Sequence, residues 1–289
     1  MAIVPEFDHF AAIDWSGAVG PRQKGIAVAI CDRGANAPTL VCPGHIWSRQ
    51  EVCDWIMHDL PARTLVGLDL GASLPFLDRA AFFPGWVESP AEARGLWSLV
   101  ERLCAEDAHL SAASFVDHPQ AAEHFRRHGG RKGRLFEGAG RLRVTEVAQR
   151  SQGLNPYSNH NLVGAAQVGK SSLTGMRVLH RLNGVLPIWP FDAVREGSVI
   201  VEIYTAIAAL AGGRAKGRAK MRTTEDLAAA LSVIGSVPTA GTGPIDDHKG
   251  DAILSAAWLR ANAQRRALWS PAAMTPHVAA TEGWTFGVT

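Results

Sequence analysis

Four acidic positions stand where a folded chain normally keeps apolar residues. Residues 10–18 read FAAIDWSGA, an apolar run broken by Asp14 and closed by Ser16 and Gly17. Residues 64–70 (TLVGLDL) are interrupted by Asp69, and residues 198–204 (SVIVEIY) by Glu202. At 246–252 the segment DDHKGDA places Asp247, His248 and Asp251 at the head of a long apolar-periodic stretch. A carboxylate inside an apolar strand is costly unless something binds it. Several in one dry place repel, and one must take a proton unless a cation neutralises them. Mg²⁺ and Mn²⁺ prefer oxygen ligands of this kind. Two such ions about 4 Å apart activate a water and stabilise the leaving oxygen of a phosphodiester. The sequence therefore predicts a two-ion Mg or Mn site, with Asp14, Asp69, Glu202 and Asp251 catalytic. The expected ligands are Asp14, Asp69, Asp247, His248 and Asp251. Asp14 bridges the ions, Asp69 and Asp251 hold one each, and Glu202 with Asp247 or His248 assists. Asp246 reads as a helix N-cap.

Such a site needs elements to hold it. Alternation puts Ala11, Ile13 and Trp15 on one face of a first strand, and Ala12 and Asp14 on the other. Residues 24–31 and, more weakly, 38–46 follow as strands of an antiparallel meander. Ser48 and Glu51 form a capping box for a helix bearing Val52, Trp55, Ile56 and Leu60. A helix before the strand at 64–70 implies a parallel crossover. There Leu65, Gly67 and Asp69 share a face, and Ala12 and Gly67 leave no bulky side chain over the two acids. Ile200, Glu202 and Tyr204 share a face of the strand at 198–204. A last long helix is expected over about 246–265, with Leu254, Ala257, Trp258 and Ala261 as its apolar stripe. Helical steps upstream of that stripe reach Asp251 and Asp247. Residues 283–288 read as a short closing strand. Helices are also expected near 89–104, 119–127, 171–182 and 224–234.

The stretch 75–195 reads as a basic, partly helical insertion. Between residues 126 and 150 there are eight Lys or Arg against two Glu. Arg126, Arg127, Arg131, Lys132, Arg134, Arg141 and Arg143 are candidate contacts to the phosphates of a nucleic acid. A second basic loop carries Arg214, Lys216, Arg218, Lys220 and Arg222. Residues 164–171 (GAAQVGKS) match the phosphate-loop pattern, but the polar NPYSNHNLV before them supplies no strand, so a turn into a helix is expected. Trp15, Trp55 and Trp258 fit core faces.

With 289 residues, 47% hydrophobic and 19% charged, the chain suits one globular domain over 1–289. A net charge of +2 does not by itself imply nucleic acid. The four cysteines have no metal or CxxC spacing and read as reduced thiols of a cytoplasmic protein. The acid-bearing N-terminus lacks a basic signal region, and no apolar run spans a membrane.

The order IDWSGA, VGLDLGASLP, LVGAAQVGKSSLTGMRVLHRL, WPFD, VIVEIYTA and DDHKGDAILSA resembles the domain of unknown function 429 family. Members of that family are predicted nucleases of the ribonuclease H-like superfamily. The resemblance runs from about Ala11 to Val288. It implies an α/β fold with a mixed sheet, three antiparallel strands then parallel ones, helices on both faces and a helical insertion. It also implies metal-binding acids at Asp14, Asp69 and the terminal helix, with Glu202 close by. The spacing of His248 and Asp251 is similar to the HxxD of some Holliday-junction resolvases. Thr205 stands where the family usually has Pro. Two other classes share features of the sequence. An actin-like ATP-binding phosphotransferase would use the turn from Asp14 to Gly17 on phosphate, and a non-catalytic nucleic-acid or protein-binding module would keep the fold alone.

Overall fold

Small and apolar residues make β1 (His9–Asp14) and β2 (Ala27–Asp32) an antiparallel pair. The structure is a computed structural model that describes residues 4–164, 168–215 and 221–289. β2 carries β3 on its outer edge, reduced to Thr39–Leu40. The expected strand at 38–46 ends there because Pro43 and Gly44 break the ladder, Gly44 at φ 86°.

Ser48 accepts from the Glu51 N–H, and the Glu51 carboxylate accepts from the Ser48 N–H at 2.7 Å. This reciprocal cap starts α1 (Arg49–Asp54), which runs on as a wider turn to Asp59. The chain then returns as β4 (Thr64–Asp69), parallel to β1. The segment up to the next strand holds α2 (Ala93–Leu103), α3 (Ala113–Asp117), α4 (Pro119–Ala122), α5 (Val144–Ser151) and α6 (Val168–Leu182). β5 (Ile188–Trp189) and β6 (Val199–Glu202) complete a six-stranded mixed sheet in the order β3-β2-β1-β4-β6-β5. α7 (Thr205–Ala211), α8 (Thr224–Val233) and α9 (Asp247–Asn262) follow. Residues 283–288, expected as a strand, form no ladder among the described residues beyond an isolated bridge between Glu202 and Thr285, and pack Trp284 and Phe286 into the core beside the sheet. The P-loop-like residues 165–167 and the basic residues Lys216, Arg218 and Lys220 lie outside the described residues.

The sheet has a core on each face. Ala11, Ile13, Val66, Leu68 and Ile200 belong to the one shared with α1, α2 and α6. Ala12, Leu65, Val199 and Val201 belong to the one shared with α7, α8 and α9. α9 is enclosed between the sheet and α7–α8, so residues 252–259 are buried without a break. A helix packed on all sides shows no single apolar stripe, and Ala261, expected in one, is exposed. Gly67 is the condition for this packing. A Cβ there would stand 2.8 Å from Ile203 and 2.9 Å from Leu259. The space over Gly67 is thus filled by apolar side chains and is not an opening beside the acids. Among the described residues no helix is long and apolar enough to cross a membrane.

Candidate functional site

Asp14 and Asp69 end β1 and β4, and the parallel register pairs them directly across the two strands. Both point to the α9 side, because Ala12 and Leu65 of the same alternation do. Asp14 is buried and Asp69 half-buried. Burial, then the Asp14 charge and Asp251 push the Asp69 carboxyl well above the usual carboxylate range. Asp69 accepts two long bonds of 3.3 Å from the Thr205 N–H and hydroxyl. Burial also raises the Asp14 carboxyl, but His248 opposes the rise. His248 Nδ1 lies 2.7 Å from Asp14 Oδ2. That hydrogen bond, against partial burial, raises the imidazole above its ordinary value. Both carboxyls are thus pushed up, Asp69 further than Asp14, because His248 opposes the rise only at Asp14.

α9 delivers His248 because Asp246 caps it, accepting from the His248 N–H at 2.9 Å. Its first turn lies close to the β1–β2 connection at Gly25, where a side chain would be tight. A Cβ at Gly25 would lie 3.3 Å from His248 Nε2 and 3.2 Å from Ser16 Oγ. Asp247 and Asp251 are half-buried on the same helix. Asp251 is close enough to Asp69 and His248 to act on both charges. The structure so brings together Asp14, Asp69, His248 and Asp251. Among the described residues, no three His, Cys, Asp or Glu side chains form a ready-made cage for an ion.

Glu202 lines the same strand-end pocket as Asp69 but is engaged differently from the two aspartates. The register pairs it with Leu68, so it faces the opposite side of the sheet from Asp14 and Asp69. Its Oε2 accepts from Arg143 Nη1 at 2.8 Å and the Ala72 N–H at 2.7 Å. Its Oε1 accepts from Arg143 Nη2 at 2.7 Å and from the Thr285 hydroxyl. Both oxygens are used by protein donors, which leaves a metal no open position.

The same network corrects Arg143, expected on nucleic acid. Its side chain is 2% exposed and also donates to Glu146 Oε1 at 2.9 Å. Burial disfavours its charge, but Glu202 and Glu146 more than offset this and hold the guanidinium firmly protonated. Arg141 is likewise structural, gripping Asp78 at 2.6 Å and the Phe82 carbonyl at 2.7 Å. Arg134 pairs with Glu123 at 3.3 Å and Arg127 with Asp117 at 3.1 Å. Lys132 lies over the Phe136 ring, while Arg126 and Arg131 are exposed. The basic run is thus not one cationic face.

A pocket of about 140 Å³ opens beside Asp69 at the strand ends, lined also by Trp15, Tyr157, Asn159, Ser171 and Tyr204. Burial and the nearby Asp69 push the Tyr204 phenol up to about 12. Of these residues, Tyr157 and Asn159 lie in the polar stretch that sequence reading treated only as a missing strand. Arg143 and Glu146 also reach this wall, and their i, i+3 spacing is the signal that was available. The turn at Gly17 is closed to a phosphate, since a Cβ there would stand 2.5 Å from the Lys170 and Ser171 backbone. No family model, curated protein or solved structure matches the chain.

Proposed function

We propose that the chain is a metal-dependent phosphodiesterase of nucleic acid with a ribonuclease H-like fold. The observation that carries the reading is the in-register pair Asp14 and Asp69. A buried and a half-buried carboxylate side by side, with Asp251 acting on the second, offer the oxygen donors that a hard divalent cation demands. The strand order and the motif order that resembles the domain of unknown function 429 family support the same reading. Buried, unpaired Cys31, Cys53 and Cys104 suit a cytoplasmic setting.

Asp14 and Asp69 would hold the ion, with Asp251, whose charge acts on Asp69, as a further ligand. Bound Mg²⁺ or Mn²⁺ supplies Lewis-acid stabilisation of phosphate oxygens and a more acidic water. The Thr205 N–H and hydroxyl orient Asp69. His248 is held by Asp14 through Nδ1 and keeps Nε2 beside Ser16 and Gly25. From there Nε2 can take or give a proton.

Calorimetric titration with Mn²⁺, alongside cleavage of labelled single-stranded and duplex oligonucleotides, tests the reading. Wild type should bind Mn²⁺ and cleave, and Asp69→Asn should do neither. Mn²⁺ binding without cleavage of any substrate would favour a binding module that keeps the fold. Absence of Mn²⁺ binding would remove the metal site.

A further inference from the structure

The first turn of α6 divides two cavities. Ser171 lines the acidic pocket, and its neighbour Lys170 lines a second cavity of about 240 Å³. The floor of the second is aliphatic, with Val116, Leu162 and Leu173, and its walls include Ala18 and Ala113. Its rim carries Arg127, Arg131 and Lys170 against one carboxylate, Asp117. Only Arg127 pairs with that acid. Arg131 donates to the His128 carbonyl at 3.1 Å and has no carboxylate partner among the described residues. Arg127 Nε is shielded from solvent and has no hydrogen-bond partner among the described residues. Gly17 forms part of the wall and follows Asp14 by three residues, so the cavity begins within about 10 Å of the acidic corner.

We propose that this cavity seats one unstacked base of a single-stranded nucleic acid, while Arg127, Arg131 and Lys170 hold the phosphates around it. An aliphatic slot accepts the faces of a base, and the cations, spread around its mouth, suit a backbone that carries charge at regular intervals. A fatty acid would present one carboxylate to three cations. The proposal rests on the phosphodiesterase reading, because it places a strand beside Asp14 and Asp69. Lys170 acts here as a rim charge and not as a phosphate-loop lysine.

The test is fluorescence anisotropy in EDTA with a labelled oligothymidylate of about eight nucleotides and an abasic strand of equal length. Wild type should bind the thymidylate about tenfold tighter than the abasic strand. Ala113→Trp fills the cavity from an exposed position and should bind both probes as wild type binds the abasic one. If that variant does not fold, Ala18→Trp fills the cavity from another exposed wall position. Arg131→Gln should lower the salt slope by about one for both probes. Equal wild-type affinity for the two probes, or thymidylate binding untouched by the filling variant, would overturn the pocket. So would displacement of the probe by laurate in preference to thymidine monophosphate. The assay contains no metal and reads binding alone. Its failure leaves the Mn²⁺ test of Asp69 standing, and failure of that test leaves the pocket standing.

Discussion

Glu202→Gln separates a structural carboxylate from a catalytic one. Glu202 accepts four hydrogen bonds, two of them from Arg143, and both side chains are at most 4% exposed. An amide nitrogen in place of either oxygen would face a guanidinium donor, so at least one charge-assisted bond is lost. Breaking a buried pair typically costs about 3–5 kcal/mol. Glu146 stays on Arg143 at 2.9 Å, so the remaining pair is balanced, and the cost should sit near about 3 kcal/mol. Arg143→Met is the harsher change, because Glu146 and Glu202 would then share a dry site without a cation. Its cost should reach about 5 kcal/mol. Urea unfolding at neutral pH, with and without Mn²⁺, reads both values, and the ion should alter neither difference. A Glu202→Gln protein as stable as wild type yet inactive would refute this reasoning and return Glu202 to the active site. Equal costs for the two variants would refute the charge balance on which the ordering depends.

Gly67→Ala should destabilise by about 1–3 kcal/mol, since the added methyl meets Ile203 and Leu259 at 2.8–2.9 Å; thermal melts check it, and an unchanged melt would contradict that tight packing. Burial works to raise the Glu51 carboxyl, but the Ser48 N–H and Arg22 prevail and hold it at about 2. A depressed carboxyl stabilises above its unfolded value near 4.3, and the benefit fades as pH falls toward 2. Glu51 is a third exposed, so Glu51→Gln should cost only about 1 kcal/mol at pH 7, with the gap to wild type closing between about pH 5 and pH 2; a gap that persists at pH 2 would contradict it. Thr205→Val removes one of two long contacts to Asp69, the hydroxyl bond at 3.3 Å, and leaves the N–H bond, so Mn²⁺ affinity should fall by less than about tenfold in calorimetry, and a complete loss would mean that the hydroxyl itself carries the site.

Asp14 and Asp69 were legible because each breaks an alternating strand, and parity alone put both on the α9 side. Glu202 had its strand-mates read correctly but not its side of the sheet. A strand buried on both faces gives no polar row to mark direction, and Val199, Ile200 and Val201 are all buried. β5 is two residues long, too short for any periodicity. Arg143 reads as one cation among many because Glu202, its main partner, lies 59 residues away. The unbroken burial of α9 hid which helix faces meet the sheet. Gly25 and Thr205, which admit His248 and orient Asp69, act through contacts distant in sequence.

The central claim is that Asp14 and Asp69 form a seat for a divalent cation. A thermal melt of wild type and Asp69→Asn, each with and without Mn²⁺, tests it most directly. At a concentration about a hundred times the dissociation constant, Mn²⁺ should raise the wild-type midpoint by about 5 °C. Asp69→Asn should melt at or above the metal-free wild type, because a half-buried carboxyl beside Asp14 is gone, and should not respond to the ion. A wild-type midpoint that Mn²⁺ leaves in place, with a variant that melts lower, would contradict the account.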